Sequence, residues 1–187
     1  MSHWDAHLST LVEHRYPALV AYARMLTGGD LPAAEDIVQD AIVKSFARTR
    51  GFADQHHAEN YVRRAIMSAF IDTHRTRTRL LRAYSRSVER DAIQGPEAAV
   101  GASTDVERAL ATFAPRERAC AVLRFYDDLT VAQIAAQLGI ADGTVKRYLS
   151  DASAHLAAIL GADASSPDFD AADREVVTVS SHRKELS

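Results

Sequence analysis

Apolar residues recur along this chain at helical rather than strand spacing. In the segment TVAQIAAQLGIADGTVKRYLSDA, Val131, Ile134, Ala135 and Leu138 fall at i, i+3, i+4 and i+7, and so line one side of a helix. Thr130 can cap the first turn with its hydroxyl. Gly139 ends the helix, because glycine takes the left-handed conformation beyond a helix terminus without a Cβ clash. After a three-residue turn, Val145, Leu149, Ala152 and Leu156 form a second inward stripe. Two short helices meeting at a sharp angle make a helix-turn-helix. The outer face of the second carries Gly143, Thr144, Lys146, Arg147 and Ser150, small first and basic next. A helix entering the major groove needs that order, with little bulk at the base edges and donors for guanine and phosphate beside them. The bland alternative is a helical hairpin with a solvated polar face.

Upstream, Leu8, Leu11, Val12, Leu19, Ala23 and Leu26 predict a first helix or helix pair ending at Gly28-Gly29. Asp30 and Pro32 open another, since proline is tolerated in a first turn. Its Val38, Ile42, Ser45 and Phe46 face inward while Asp36, Gln39 and Asp40 lie outward, and Gly51 stops it. A polar loop, GFADQHHAEN, precedes a third helix from about Ala58 to Arg82, with Val62, Ile66, Ala69 and Thr73 on its inner side. From Ala83 to Thr104 the periodicity fades into a linker of Gly, Pro and Ala. Val106, Ala109, Leu110 and Phe113 resume it, Pro115 breaks it, and Ala119, Val122, Leu123 and Tyr126 carry it to the helix-turn-helix. The pattern predicts an all-α chain of two small helical domains, 5–82 and 105–160, joined by a flexible linker at 83–104. The tail at 161–187 is polar and turn-rich, with little apolar surface to fold on.

Charge changes this picture. The net charge of −3 is unremarkable for a chain of 187 residues, but it is segregated. Residues 61–90 hold eight Lys and Arg against two Asp and Glu, whereas residues 1–60 hold five against eight. A basic block within an acidic chain is the footprint of a phosphate-contacting surface. Arg63, Arg64, Arg75, Arg77, Arg79 and Arg82 are expected on the exposed side and C-terminal end of the third helix. Phe52, Tyr61 and Phe70 are interleaved, and basic surface with aromatic platforms suits unstacked single-stranded bases. Taken singly, each aromatic is better explained as core.

Other chemistry is sparse. One cysteine, Cys120, excludes an internal disulfide framework and a Cys-based zinc site, and its apolar setting makes it buried filler. His56 and His57 are adjacent in a loop without ligating partners at helical spacing, which argues against a metal. No nucleophile-base pair or glycine-rich phosphate loop supports an enzyme, and no cofactor is implied. The N-terminus has neither the basic start nor the apolar core of a leader, and no run of about 18 apolar residues could span a membrane. These features predict a cytoplasmic protein without membrane insertion.

The segments AEDIVQDAIVKSF and AENYVRRAIMSAFIDTHRTRTR resemble the sigma2 domain of extracytoplasmic-function sigma factors of the sigma-70 family. FAPRERACAVLRFYDDLTVAQIAAQLGIADGTVKRYLSDA resembles their sigma4 domain, and the YVRR form is similar to the SigE-like subgroup. The resemblance implies that Asp36, Gln39 and Asp40 dock on the β′ clamp helices of core RNA polymerase, with sigma4 against the β flap. It implies that the loop and helix carrying Asp54, His56, His57, Asn60, Tyr61, Arg63, Arg64, Ser68 and Arg75 recognise and melt the −10 promoter element. Gly143, Thr144, Lys146, Arg147 and Ser150 would read the −35 element as duplex. An anti-sigma factor is a further implied partner.

Some positions depart from that pattern. Ser68 stands where the family commonly has Asn, Asp151 and His155 replace arginines, and Ala141 replaces a capping Ser, leaving Asp142 to cap or to favour the helix dipole. Two rival readings stay open at this level. A stand-alone LuxR-like helix-turn-helix regulator explains Thr130 to Ala152 but leaves the acidic face and basic helix as mere surface. A sigma-like protein-interaction adaptor would explain Asp151 and His155.

Overall fold

The computed structural model describes residues 10–48, 52–84 and 104–160. Leu8, Gly51, the linker from 85 to 103 and the tail from 161 to 187 lie outside the described residues, together with the expectations placed on them. All regular structure among the described residues is helical. A π-helical turn, Leu11–Arg15, runs into α1 (Tyr16–Thr27), followed by α2 (Leu31–Arg48), α3 (Gln55–Tyr84), α4 (Asp105–Ala111), α5 (Pro115–Phe125), α6 (Val131–Leu138) and α7 (Asp142–Leu160). The chain divides into two compact units, residues 1–115 and 116–187.

In the first unit α1 packs on α2, and α2 on α3. Leu19, Val20, Tyr22, Ala23 and Leu26 are buried along α1. Gly28, at φ 70, ends it by donating its N–H to the Arg24 carbonyl. Asp30 then starts α2: its Oδ1 accepts the Ala33 N–H at 3.1 Å. Val38, Ile42, Ser45 and Phe46 are buried as the periodicity predicts, and Asp36, Gln39 and Asp40 are exposed.

The third helix differs from expectation at both ends. It starts at Gln55, three residues early, because Asp54 caps it by accepting the His57 N–H at 2.8 Å. The polar stretch expected as loop is thus largely its first turn and a half. On the inner side Ala58, Val62, Ile66, Met67 and Phe70 are buried, whereas Ala69 is half-buried and Thr73 exposed. Among the described residues of α3, Phe70 is the last buried one. Beyond it the helix outruns the bundle, so the Thr73 hydroxyl turns back to the Ala69 carbonyl at 2.9 Å.

One carboxylate ties this unit together. Glu59 on α3 is 6% exposed and accepts a two-pronged bond from Arg15, Nε to Oε2 at 2.7 Å and Nη2 to Oε1 at 2.8 Å. Arg63, one turn on, donates to Oε1 at 2.6 Å and lays its guanidinium over the Tyr22 ring, 5.6 Å from the centroid. Forked arginine–carboxylate pairing is among the stronger hydrogen-bonded contacts available to side chains. It holds the Glu59 carboxyl below its ordinary value, with Arg15 the main cause and the charge of Arg63 adding to it.

In the second unit residues 117 to 124 of α5 are all buried. Two of its charged side chains are met locally. Glu117 Oε1 lies 2.7 Å from His155 Nδ1 on α7, and Arg124 Nη1 donates to the Leu129 carbonyl at 2.9 Å. Cys120 is buried filler as expected, its thiol pushed up to about 12 by burial and so unreactive. Thr130 and Gln133 close a reciprocal capping box on α6, and Gly139 ends α6 at φ 62. α7 is 19 residues long rather than short, with Val145, Leu149 and Ala152 fully buried and Leu156 half-buried.

Two outcomes follow. Glu59→Gln should lower stability by about 1–3 kcal/mol in denaturant titration at neutral pH, the usual range for a charged hydrogen bond. Because folding lowers its pKa, Glu59 contributes its full stabilisation above the ordinary carboxylate value of 4.5 and loses it as pH falls through the folded value. The difference between native chain and variant should therefore shrink on acidification below about pH 4.5, and a constant difference would exclude the charge as its source. Gly139→Ala meets nothing within 4 Å, yet its positive φ remains strained. It should cost the second unit about 1 kcal/mol, read as a drop of a few degrees in melting temperature.

Candidate nucleic-acid interface

On α7, Gly143, Arg147 and Ser150 lie opposite the buried Val145, Leu149 and Ala152, since residues four and seven apart share a helix face. Thr144 and Lys146 flank them, half-buried. The Arg147 guanidinium lies over the Tyr148 ring, 5.2 Å from its centroid. Asp142 sits in the first turn, where a carboxylate favours the helix dipole, and the Ala141 carbonyl accepts the N–H groups of Thr144 and Val145. His155 takes a structural role: its ring bonds to buried Glu117, holding α7 against α5. Asp151 is exposed.

The second surface runs along α3. His57, Tyr61, Arg64, Ser68, Arg75 and Arg79 are all exposed, and at 100° per residue they fall within one narrow stripe. From His57 to Arg75 that stripe extends roughly 27 Å at 1.5 Å per residue. Exposed Asp72 at its edge is its one acidic neighbour on this stretch of the helix. Tyr61 is 39% exposed, with its ring edge-on to Phe52 at 5.5 Å, and Phe52 packs on Phe46 at 5.2 Å. Tyr61 is therefore the wet end of an aromatic stack rooted in the core. Phe52 and Phe70 are core residues and offer no platform.

Arg63 corrects the sequence reading. It was expected on the exposed side with Arg64, but its side chain is 19% exposed and bound to Glu59 and Tyr22. A one-residue step on a helix turns a side chain by 100°, which carries Arg63 from the stripe to the bundle. Asp54, His56, His57 and Asn60 likewise belong to a helix terminus rather than a free loop. Asp54 Oδ2 lies 2.9 Å from His57 Nδ1, and the His57 N–H first, then its ring, hold the Asp54 carboxyl below the usual range. His56 Nε2 pairs instead with Asn60 Nδ2 at 2.9 Å. The two histidines thus serve different partners and do not converge on a common point. The side chain of Arg82 lies outside the described residues.

On α2, Asp36, Gln39 and Asp40 share an outward face, with Asp40 paired to Lys44 at 2.9 Å. The sequence reading missed that this face is also apolar. Val43 is 68% exposed at its centre, and Tyr16, Gln39, Ile42 and Val43 line an open groove of about 410 Å³. The available signal was Val43 itself, an apolar residue four positions after Gln39 on the outward side.

Comparison with known proteins matches the two halves separately. Residues 11–80 match the family Sigma-70 region 2, and residues 103–156 match Sigma-70, region 4. The chain is 36% identical to an RNA polymerase sigma-E factor of Streptomyces avermitilis over 152 residues, 78% of this chain and 80% of that one. A sigma-E factor of Streptomyces coelicolor is 32% identical across 78% of this chain and 81% of its own. The ECF RNA polymerase sigma factor SigM of Mycobacterium tuberculosis is 28% identical over 73% of this chain and 68% of its own. Among solved structures, the sigma factor RpoE of Bartonella quintana, crystallised with the anti-sigma factor NepR, is similar with a TM-score of 0.53. That likeness is at 26% identity, over 79% of this chain and 92% of that one.

Proposed function

This chain belongs to the extracytoplasmic-function group of the sigma-70 family, and on that premise we propose how its surfaces divide the work of transcription initiation. The observation that carries the assignment is the pairing of two DNA-suited faces, one in each matched region. The region-2 part bears the stripe of His57, Tyr61, Arg64, Ser68 and Arg75, and the region-4 part bears the small-then-basic outer face of α7.

On this reading the α3 stripe takes the −10 element. Unstacking a base costs a few kcal/mol, and stacking on an aromatic face returns about 1–3 kcal/mol per base. Tyr61, anchored through Phe52, is the residue placed to supply that, with Arg64 and Arg75 holding the backbone. Asp54, His56, His57 and Asn60 form the rim of the −10 site at the start of α3. Arg63 acts as a positioning residue: by engaging Glu59 and Tyr22 it fixes the rotation of α3, and with it the direction of the stripe.

In the duplex −35 element, Arg147 and Lys146 contact guanine and phosphate while Gly143, Thr144 and Ser150 admit the helix to the groove. Core polymerase docks on α2 through Asp36, Gln39 and Asp40, with Val43 and the groove beside Tyr16 supplying apolar area. The β flap receives the region-4 part. The solved neighbour was captured with an anti-sigma factor, and a partner of that kind is proposed here. The chain contributes recognition and strand opening, without catalytic chemistry of its own. No helix among the described residues is long and apolar enough to cross a membrane, in keeping with action in the cytoplasm. A stand-alone regulator would leave the α3 stripe and the α2 face without a task.

Run-off transcription with purified core polymerase on genomic promoter fragments tests this directly. Protein-dependent starts behind a shared −35 and −10 pair are expected, and their absence would overturn the assignment. Arg64→Ala should impair promoter opening, read by permanganate reactivity of unpaired thymines, while leaving polymerase binding and melting temperature unchanged. Arg63→Ala should lower the melting temperature, because it leaves Glu59 with one partner fewer. Replacing Lys146 and Arg147 with alanine should weaken −35 binding and reduce its salt slope by about two.

A further inference from the structure

Asp54 and His57 form a two-point pair at the start of α3. Asp54 Oδ1 accepts the His57 backbone N–H at 2.8 Å, and Oδ2 lies 2.9 Å from Nδ1 of the same residue's ring. An ionised carboxylate can only accept, so Nδ1 must carry the ring hydrogen. The two bonds, the backbone one first, hold the Asp54 carboxyl below the usual range and so keep it in that form. In a neutral imidazole the second nitrogen is then an acceptor, its lone pair directed away from the carboxylate. Asp54 therefore selects the tautomer of His57. The His57 side chain is 67% exposed, and among the described residues nothing bonds to its Nε2.

Tyr61 stands beside this acceptor. It follows His57 by four residues on the same stripe, which places their Cβ atoms about 5–6 Å apart. A long side chain on a helix leans toward the turn on its N-terminal side. The Tyr61 ring does so, since it meets Phe52, which precedes α3, edge-on at 5.5 Å. An unpaired base is thus offered an aromatic surface to stack on and a single acceptor near its edge.

We infer that His57 is a specificity-determining residue of the strand-opening surface: with its tautomer set by Asp54, it accepts a hydrogen bond from the exocyclic amine of an unpaired base, favouring adenine and cytosine over thymine and guanine. Adenine and cytosine present an amino group where guanine and thymine present a carbonyl oxygen. The Nε2 lone pair attracts the first and repels the second. The ring N–H of thymine is no equal substitute, because it lies between two carbonyl oxygens. Arg64 and Arg75 on the same stripe only donate, so they cannot select for an amine.

Asp54 is a positioning residue in this scheme, and asparagine in its place would reverse the choice. Asparagine caps a helix about as well as aspartate, so its Oδ1 can keep the backbone bond. Its Nδ2, a donor, then stands where Oδ2 faces the ring. Nδ1 becomes the acceptor, the hydrogen moves to Nε2, and the exposed nitrogen turns from acceptor to donor.

This rests on the reading of α3 as the −10 surface. The test uses holoenzyme assembled from the full chain and purified core polymerase at about pH 8, where an ordinary imidazole is neutral. Fluorescent single strands of thymine, with or without one central cytosine, report binding by anisotropy. The cytosine strand should bind about 3- to 10-fold tighter, as one neutral hydrogen bond allows. Replacing that cytosine by 2-pyrimidinone, which lacks the amine, should abolish the preference. His57→Phe keeps a stacking ring and should bind the three strands alike, while Asp54→Asn should favour the all-thymine strand. Equal binding of thymine and cytosine strands by the native holoenzyme, or a cytosine preference that survives His57→Phe, would overturn the inference and leave the −10 surface standing. A cytosine preference retained by Asp54→Asn would overturn the tautomer assignment. If the holoenzyme binds no single strand more tightly than core polymerase alone, α3 is not the −10 surface, and the inference falls with that reading.

Discussion

The first unit depends on the Glu59 carboxylate and the two arginines that grip it. Arg15 comes from the N-terminal π-helical turn and Arg63 from α3 itself, so one buried anion fastens the start of the bundle to its longest helix. The same contact sets the rotation of α3. With Arg63 turned inward over Tyr22, the side 100° away is left to solvent, and there His57, Tyr61, Arg64, Ser68 and Arg75 line up. A structural ion pair on one face thereby orients the proposed nucleic-acid surface on another.

The two units reach similar ends by different means. α3 is buried to Phe70 and then runs beyond the bundle, which leaves Arg75, Arg77 and Arg79 exposed. α7 instead backs onto α5 through Val145, Leu149, Ala152 and the His155–Glu117 bond, leaving its first turns outward. His155 therefore serves as a packing contact between α7 and α5.

Buried carboxylates recur at the joints. Glu59 joins the π-helical turn to α3, Glu107 joins α4 to α1, and Glu117 joins α5 to α7, each nearly inaccessible and each met by a cationic or ring-nitrogen partner. Isolated, such groups would be costly to bury. Paired, they favour one arrangement of helices over its neighbours, whereas apolar seams alone tolerate sliding and repacking.

Local signals were legible in the sequence because they act over a few residues. The Thr130 cap, the Gly28 and Gly139 stops, the inward faces of α2 and α7, and the outward Asp36, Gln39 and Asp40 all follow from helical period and backbone sterics. The two family-like segments were legible too, and in the right order. What the sequence could not supply was the choice between neighbours on one helix. Arg63 and Arg64 are identical in type and adjacent, and only the position of Glu59 and Tyr22 across the bundle sends one inward and leaves the other to solvent. Thr73 kept the inward period but had no bundle left to meet, and Val43 broke the polar face of α2 beside a groove that exists only once Tyr16 is folded against it. The attachment of α4 to α1 joins residues 83 positions apart. Period and propensity are properties of neighbouring residues, so they determined the helices; which charge is buried, and against what, depends on contacts that form only when distant segments meet.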